Sequence, residues 1–98
     1  MRINNNKSCD LSVGQIVKSK SGRDKGECFI VYEILDDEYV LLVDGKLRKL
    51  DKPKKKKVKH LQKYNEIIEN FNQIKNEINF NDALIRRLIT SKKIQEET

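Results

Sequence analysis

Gln15-Ile16-Val17-Lys18-Ser19-Lys20, Gly22-Arg23-Asp24-Lys25-Gly26 and Cys28-Phe29-Ile30-Val31-Tyr32-Glu33-Ile34-Leu35 read in order as strand, turn and strand. The first segment alternates about Val17, which predicts an extended chain with Lys18 and Lys20 on one face. Glycine at both ends of the second permits positive φ, so the chain can reverse and lift Arg23 and Lys25 outward. The third is rich in β-branched and aromatic residues, the composition of a central strand.

Downstream, Asp36-Asp37-Glu38 interrupts the run, and Tyr39-Val40-Leu41-Leu42-Val43 returns as its hairpin partner. Asp44-Gly45 is a two-residue turn signal leading into a predicted strand, Lys46-Leu47-Arg48-Lys49-Leu50. Alternation sets Leu47 inward and Lys46 and Arg48 outward, with a bulge at Lys49 and Leu50. Pro53 cannot donate to a ladder and is expected to end that strand. Val58 and Leu61 anchor a short last strand or a turn.

From Tyr64 the period changes. Tyr64, Ile67, Ile68, Phe71, Ile74 and Ile78 recur at three- and four-residue steps, which predicts a helix of about four turns. A second helix is signalled by Asn81 as N-cap, Asp82 in the first turn and Phe80 set to staple onto Ile85. Leu84, Ile85, Leu88 and Ile89 form its apolar stripe, Lys92 and Lys93 suit the carboxyl end of its dipole, and residues 95–98 are expected to fray. The stripes are expected to pack on each other and on the strands. Residues 1–10, polar and Asn-rich, read as a flexible leader. The organisation is thus a leader (1–10), a strand-rich unit (11–62) and a helical tail (63–98). Strands first and helices last is α+β order.

Composition sets the scale. Of 98 residues, 37% are hydrophobic and 6% aromatic, with no Trp, so the core is small. It suits a barrel of about five short strands better than a two-layer enzyme fold. The net charge of +6 is uneven. Between Lys46 and Lys63 ten basic residues face one acid, Asp51, giving +9. The rest of the chain holds eleven basic and fourteen acidic residues, giving −3. A nearly neutral body with one strongly positive segment attracts polyanions.

Cys9 and Cys28 form no CxxC pair, and with a single histidine no four-ligand Cys/His zinc site can be built. A disulfide between them is one reading, and a reduced cytosolic pair is the more economical one. Asp36-Asp37-Glu38 lacks regular cation-ligand spacing. Met1 to Lys7 has no apolar core, so a secretory leader is not expected, and the sequence shows no membrane-spanning run, nucleophile elbow, Walker loop or Cys–His pair. The expectation is a non-enzymatic cytoplasmic protein, monomeric, off the membrane and without cofactor.

Val13-Gly14-Gln15-Ile16-Val17, Gly22-Arg23-Asp24-Lys25-Gly26 and Phe29-Ile30-Val31 resemble the KOW motif, in which an apolar strand, a basic glycine turn ending in Lys-Gly and a second apolar strand follow in order. Asp44-Gly45, Arg48, Lys54 to Lys57 and Lys59-His60-Leu61 extend the likeness to small bacterial KOW-domain RNA-binding proteins, themselves similar to a large-subunit ribosomal protein. The resemblance covers about residues 11–62. It implies an SH3-like barrel (KOW) followed by two C-terminal helices, and binding to ribosomal RNA. Glu27 and Cys28 depart from the motif, which more often continues with a basic or small residue, and the helical tail lies outside it.

The residues expected to contact RNA are Lys18, Lys20, Arg23, Lys25, Lys46, Arg48, Lys49, Lys54, Lys55, Lys56, Lys57, Lys59 and His60. Each has a plainer reading. The lysine run is also what a solvated charge run or a nuclear-import signal looks like, and the turn could be an ordinary hairpin. Lys18, Lys20, Lys46 and Arg48 are neighbours only if the barrel closes. His60 reads first as a packing residue, since it has no partners for catalysis. Tyr32, Tyr39 and Phe29 read as core. With so few aromatics, recognition of folded RNA by backbone and shape is favoured over base-by-base reading. The alternative class is a protein-interaction module for a ribosomal or transcription-machinery partner, in which the lysines only tune solubility.

Overall fold

The apolar runs flanking the glycine turn are adjacent antiparallel strands, β1 (Gln15–Ser19) and β2 (Cys28–Ile34), with Val17 opposite Phe29. The computed structural model describes residues 10–97 of the chain. Three more strands follow: β3 (Tyr39–Val43), β4 (Lys54–Lys57) and β5 (Leu61–Ile67). A 3-10 turn, Val58–His60, joins β4 to β5. A short helix α1 (Phe71–Ile74) and a long one, α2 (Asp82–Glu97), end the chain. The sheet is antiparallel in the order β4-β3-β2-β1-β5, so the last strand returns beside the first. It is not closed between β4 and β5.

Both faces of the sheet are buried. On one face Val17, Phe29, Val31, Val40 and Leu42 pack with Leu11 and Leu61. On the other, Ile16, Cys28, Ile30 and Val43 are covered by Ile68 and Phe71 and by Ile85 and Ile89 of α2. Period-2 alternation alone accounts for this division: Val17 turns one way while Ile16 turns the other. The helical stripe therefore packs on the sheet, as its spacing predicts. Cys28 is buried, and Cys9 and the leader up to residue 9 lie outside the described residues.

Two elements differ from the sequence expectation. Lys46–Leu50 is not a strand. The Asp44 carboxylate oxygen Oδ1 accepts hydrogen bonds from the backbone N–H of Lys46 (3.0 Å) and Arg48 (2.8 Å), which winds residues 44–48 into a loop. Leu47, expected inward, is 58% exposed. The fourth strand is the lysine run itself, and Pro53 precedes it rather than ending a strand. Proline is tolerated there because β4 is an edge.

The second correction concerns residues 61–67, where the apolar spacing predicts a helix from Tyr64 onward. They form β5, because the free edge of β1 needs a partner for its N–H and C=O groups. Tyr64, Ile68, Phe71 and Ile74 still pack on one cluster, so the apolar spacing reports a common burial site but not a common helix. Ile67 is 36% exposed and Ile78 is fully exposed. The β1–β5 ladder is irregular between Gln15 and Val17, and there the buried Gln15 amide donates from Nε2 to the Tyr64 carbonyl (2.6 Å).

The start of α2 matches its signals. Asn81 Oδ1 accepts the N–H of Leu84 (2.9 Å), and Phe80 and Ile85 belong to one core cluster. Asp82 does more than favour the dipole: its Oδ1 accepts the N–H of Leu50 (2.9 Å), while the Arg86 guanidinium donates to the Gly45 carbonyl (2.6 Å). Helix α2 is thereby the buttress of the β3–β4 loop. It continues to Glu97, so Lys92 is not in its last turn and instead lies 3.7 Å from Glu66 of β5.

Candidate nucleic-acid interface

Strand alternation divides the lysine run. Lys56 pairs with Val40 and Lys54 with Leu42 on the face of Val17 and Phe29, whereas Lys55 and Lys57 pair with Leu41 and Tyr39 on the other. Lys56 is buried, at 8% exposure. Its ammonium donates to Asp24 Oδ1 (3.0 Å) and to the Ser21 carbonyl (2.9 Å). Asp24 Oδ1 also accepts the Ser19 hydroxyl (2.7 Å). The glycine turn and the lysine run, some thirty residues apart in sequence, are thus tied through one buried carboxylate.

Burial alone pushes the Asp24 carboxyl up. The Ser19 hydroxyl, the Lys56 hydrogen bond and the charges of Lys56 and Lys54 outweigh it and hold the group below the ordinary carboxylate value. Lys54 reaches the other oxygen, Oδ2, at 3.8 Å, which is an ion pair but not a hydrogen bond.

The turn has the expected build. Gly22 and Gly26 lie at φ +86° and +92°, and the N–H of Gly26 donates to the Ser19 carbonyl (2.9 Å). Arg23 and Lys25 are exposed while Asp24 points in. Arg23, Arg48 and Lys54 converge with Asp24, Phe29 and Leu47 around a cleft of about 290 Å³. This cleft opens between the glycine turn and the β3–β4 loop.

A second cationic group lies on the opposite face. Lys55 and Lys57 hold their ammonium groups 4.6 and 5.8 Å from the Tyr39 ring centroid, which is cation–π range. Tyr39 is half-buried, not a core residue. Lys57 and the exposed Lys59 also line a hollow with Asp37 and Glu38, whose charge partly offsets theirs.

The remaining expected residues are dispersed. Lys18 is half-buried in β1, three strands from β4 in the sheet. Lys20 is exposed, and its N–H donates to the carbonyl of half-buried His60 (2.8 Å), so these two close a backbone contact beside β5. Lys46 faces a small cavity with Glu27, Asp44 and Arg86, apart from the cleft, and Lys49 is exposed on the loop. The lysines of β4 also guard an edge: charge on an edge strand discourages pairing with another chain.

Sequence reasoning missed the inward role of Lys56 and the exposed place of Leu47 at the cleft. Alternation within Lys54–Lys57 is the available signal, but it can be used only once the run is recognised as a strand. No family model matches the chain, and no curated protein sequence matches it. Among the described residues, no helix is long and apolar enough to cross a membrane.

Proposed function

We propose that this chain is a non-enzymatic, cytoplasmic RNA-binding protein of the SH3-like barrel (KOW) type, docking as a monomer on structured RNA, ribosomal RNA foremost. A five-stranded meander whose last strand returns beside its first is the order a small barrel requires. The observation that carries the functional reading is the Asp24–Lys56 tie. It fixes the cation-bearing turn against the cation-bearing strand, so Arg23, Lys25, Arg48, Lys54, Lys55 and Lys57 stand on a rigid base. Cations preset in this way lose little side-chain and loop freedom on meeting phosphates.

The test is sedimentation of the tagged protein through a ribosome gradient at low and high salt, beside a Lys54, Lys55 and Lys57→Ala variant that leaves Lys56 in place. Salt-sensitive co-migration with the large subunit, abolished in the variant, is the expected result. Wild-type protein that stays at the top of the gradient at low salt removes the ribosomal reading. A protein-interaction module is the second reading, favoured by the full exposure of Ile78 and the exposure of Leu47. It predicts a protein partner retained at high salt and by the triple variant.

A further inference from the structure

The cleft between the glycine turn and the β3–β4 loop combines features that an evenly charged surface lacks. Three cations, Arg23, Arg48 and Lys54, surround it, and Leu47 supplies the exposed apolar wall, Phe29 being fully buried beneath the surface. The acid at its side, Asp24, is already matched by the buried Lys56 ammonium, so the group around the cleft keeps a net positive field. Leu47 is the second-most exposed large apolar side chain among the described residues, and it stands on a loop pinned by Asp44, Asp82 and Arg86 rather than on a floppy segment. At about 290 Å³ the cleft falls just under the ~300–1,000 Å³ typical of ligand pockets, room for one small planar group and not for a duplex.

Phosphate and a flat, weakly polar ring, joined in one ligand, are what cations beside apolar wall recognise, and a nucleotide is that ligand. A base stacked inside a helix cannot enter, whereas an unpaired one can be splayed out of its stack, and guanidinium planes such as those of Arg23 and Arg48 are among the surfaces that receive it. We propose that this cleft receives a single bulged nucleotide of the structured RNA, its phosphate held by Arg48, Lys54 and Arg23 and its base laid against Leu47. The inference rests on the RNA-binding reading above and adds a local preference to it.

Fluorescence anisotropy of the full chain with three labelled RNA hairpins tests it. One hairpin is fully paired, one carries a single-nucleotide bulge, and one carries the same bulge as an abasic ribose phosphate. The bulged hairpin is expected to bind about tenfold tighter than the other two. Leu47→Ser should abolish the difference, so that the bulged hairpin binds no tighter than the paired one. Equal binding of the bulged and paired hairpins by the wild type overturns the nucleotide cleft and leaves RNA binding standing. Equal gains from the bulged and abasic hairpins overturn it in favour of backbone shape. Adenosine monophosphate binding as tightly as the bulged hairpin overturns it in favour of a free-nucleotide site. Binding to none of the hairpins at low salt removes the RNA reading and this inference together.

Discussion

Lys56 and Asp24 form a buried ion pair, Nζ to Oδ1 at 3.0 Å, between an edge strand and the glycine turn facing it. Their neighbours Lys55 and Lys57 point the other way, toward Tyr39. One run of four identical residues therefore divides between a buried ion pair and a cationic pair over the Tyr39 ring.

The division makes the lysines separable by experiment. Lys56→Ala leaves the Asp24 carboxylate buried without its main cation, a loss of about 3 kcal/mol on the usual scale for breaking such a pair. Lys55→Ala should change stability by less than about 0.5 kcal/mol, as an exposed substitution does. Thermal unfolding of the two variants checks this. Equal melting temperatures would contradict the structural role of Lys56.

RNA binding should show the reverse order. Removing one phosphate-neutralising lysine makes the salt dependence shallower by about 0.9, the value for a DNA duplex serving as a guide for RNA. The Lys55, Lys57→Ala double variant should therefore flatten log K against log salt by about 2 in slope, with its fold intact. An unchanged slope would place these two lysines outside the interface.

Asp24 gives the fold an acid sensitivity. Its folded pKa lies below the ordinary value, so its contribution is fully present above the unfolded pKa of about 3.9 and fades as pH falls through the folded pKa. Wild-type stability should thus drop with acid below about pH 4. Asp24→Asn, less stable at pH 7, should show a shallower fall over that window. Denaturant midpoints measured from pH 2 to pH 7 decide it, and parallel curves would count against the carboxylate.

Glycine substitutions should differ by position. Gly45 has φ +80°, and a methyl group there would strike the Asp82 carbonyl and Arg86 of α2. Gly26 has φ +92° with nothing within 4 Å of an added Cβ. Gly26→Ala is expected to cost the left-handed backbone penalty alone, about 1–2 kcal/mol. Gly45→Ala should cost more and loosen the β3–β4 loop, seen as faster amide exchange at Leu50. Equal costs would mean that α2 does not brace this loop.

Ile85 is fully buried between α2 and the sheet. Ile85→Ala should destabilise the whole protein by roughly 2–5 kcal/mol. Chemical denaturation is expected to show one lower midpoint. A separate early transition of the helix, with the sheet unaffected, would contradict the shared core.

Much of this is legible in the residues. Strands β1, β2 and β3, the positive-φ glycines of the turn and the Asn81 cap all follow from local rules: alternation, β-branching, absence of a Cβ, and a side-chain acceptor for an orphan N–H. The concentration of positive charge is likewise a property of the sequence alone. What local rules could not assign was decided by pairing partners far away in the chain. The spacing from Tyr64 to Ile74 is compatible with a helix, yet residues 61–67 are strand because the edge of β1 offers them a ladder. Asp44-Gly45 reads as a tight hairpin, but Asp82 and Arg86 of α2 and the Asp44 carboxylate hold a longer loop there and move the fourth strand to the lysines. Only that displacement turns Lys56 inward onto Asp24 and leaves Leu47 exposed at the cleft. A side chain's face in a strand depends on register, and register is a relation between two segments that neither segment contains.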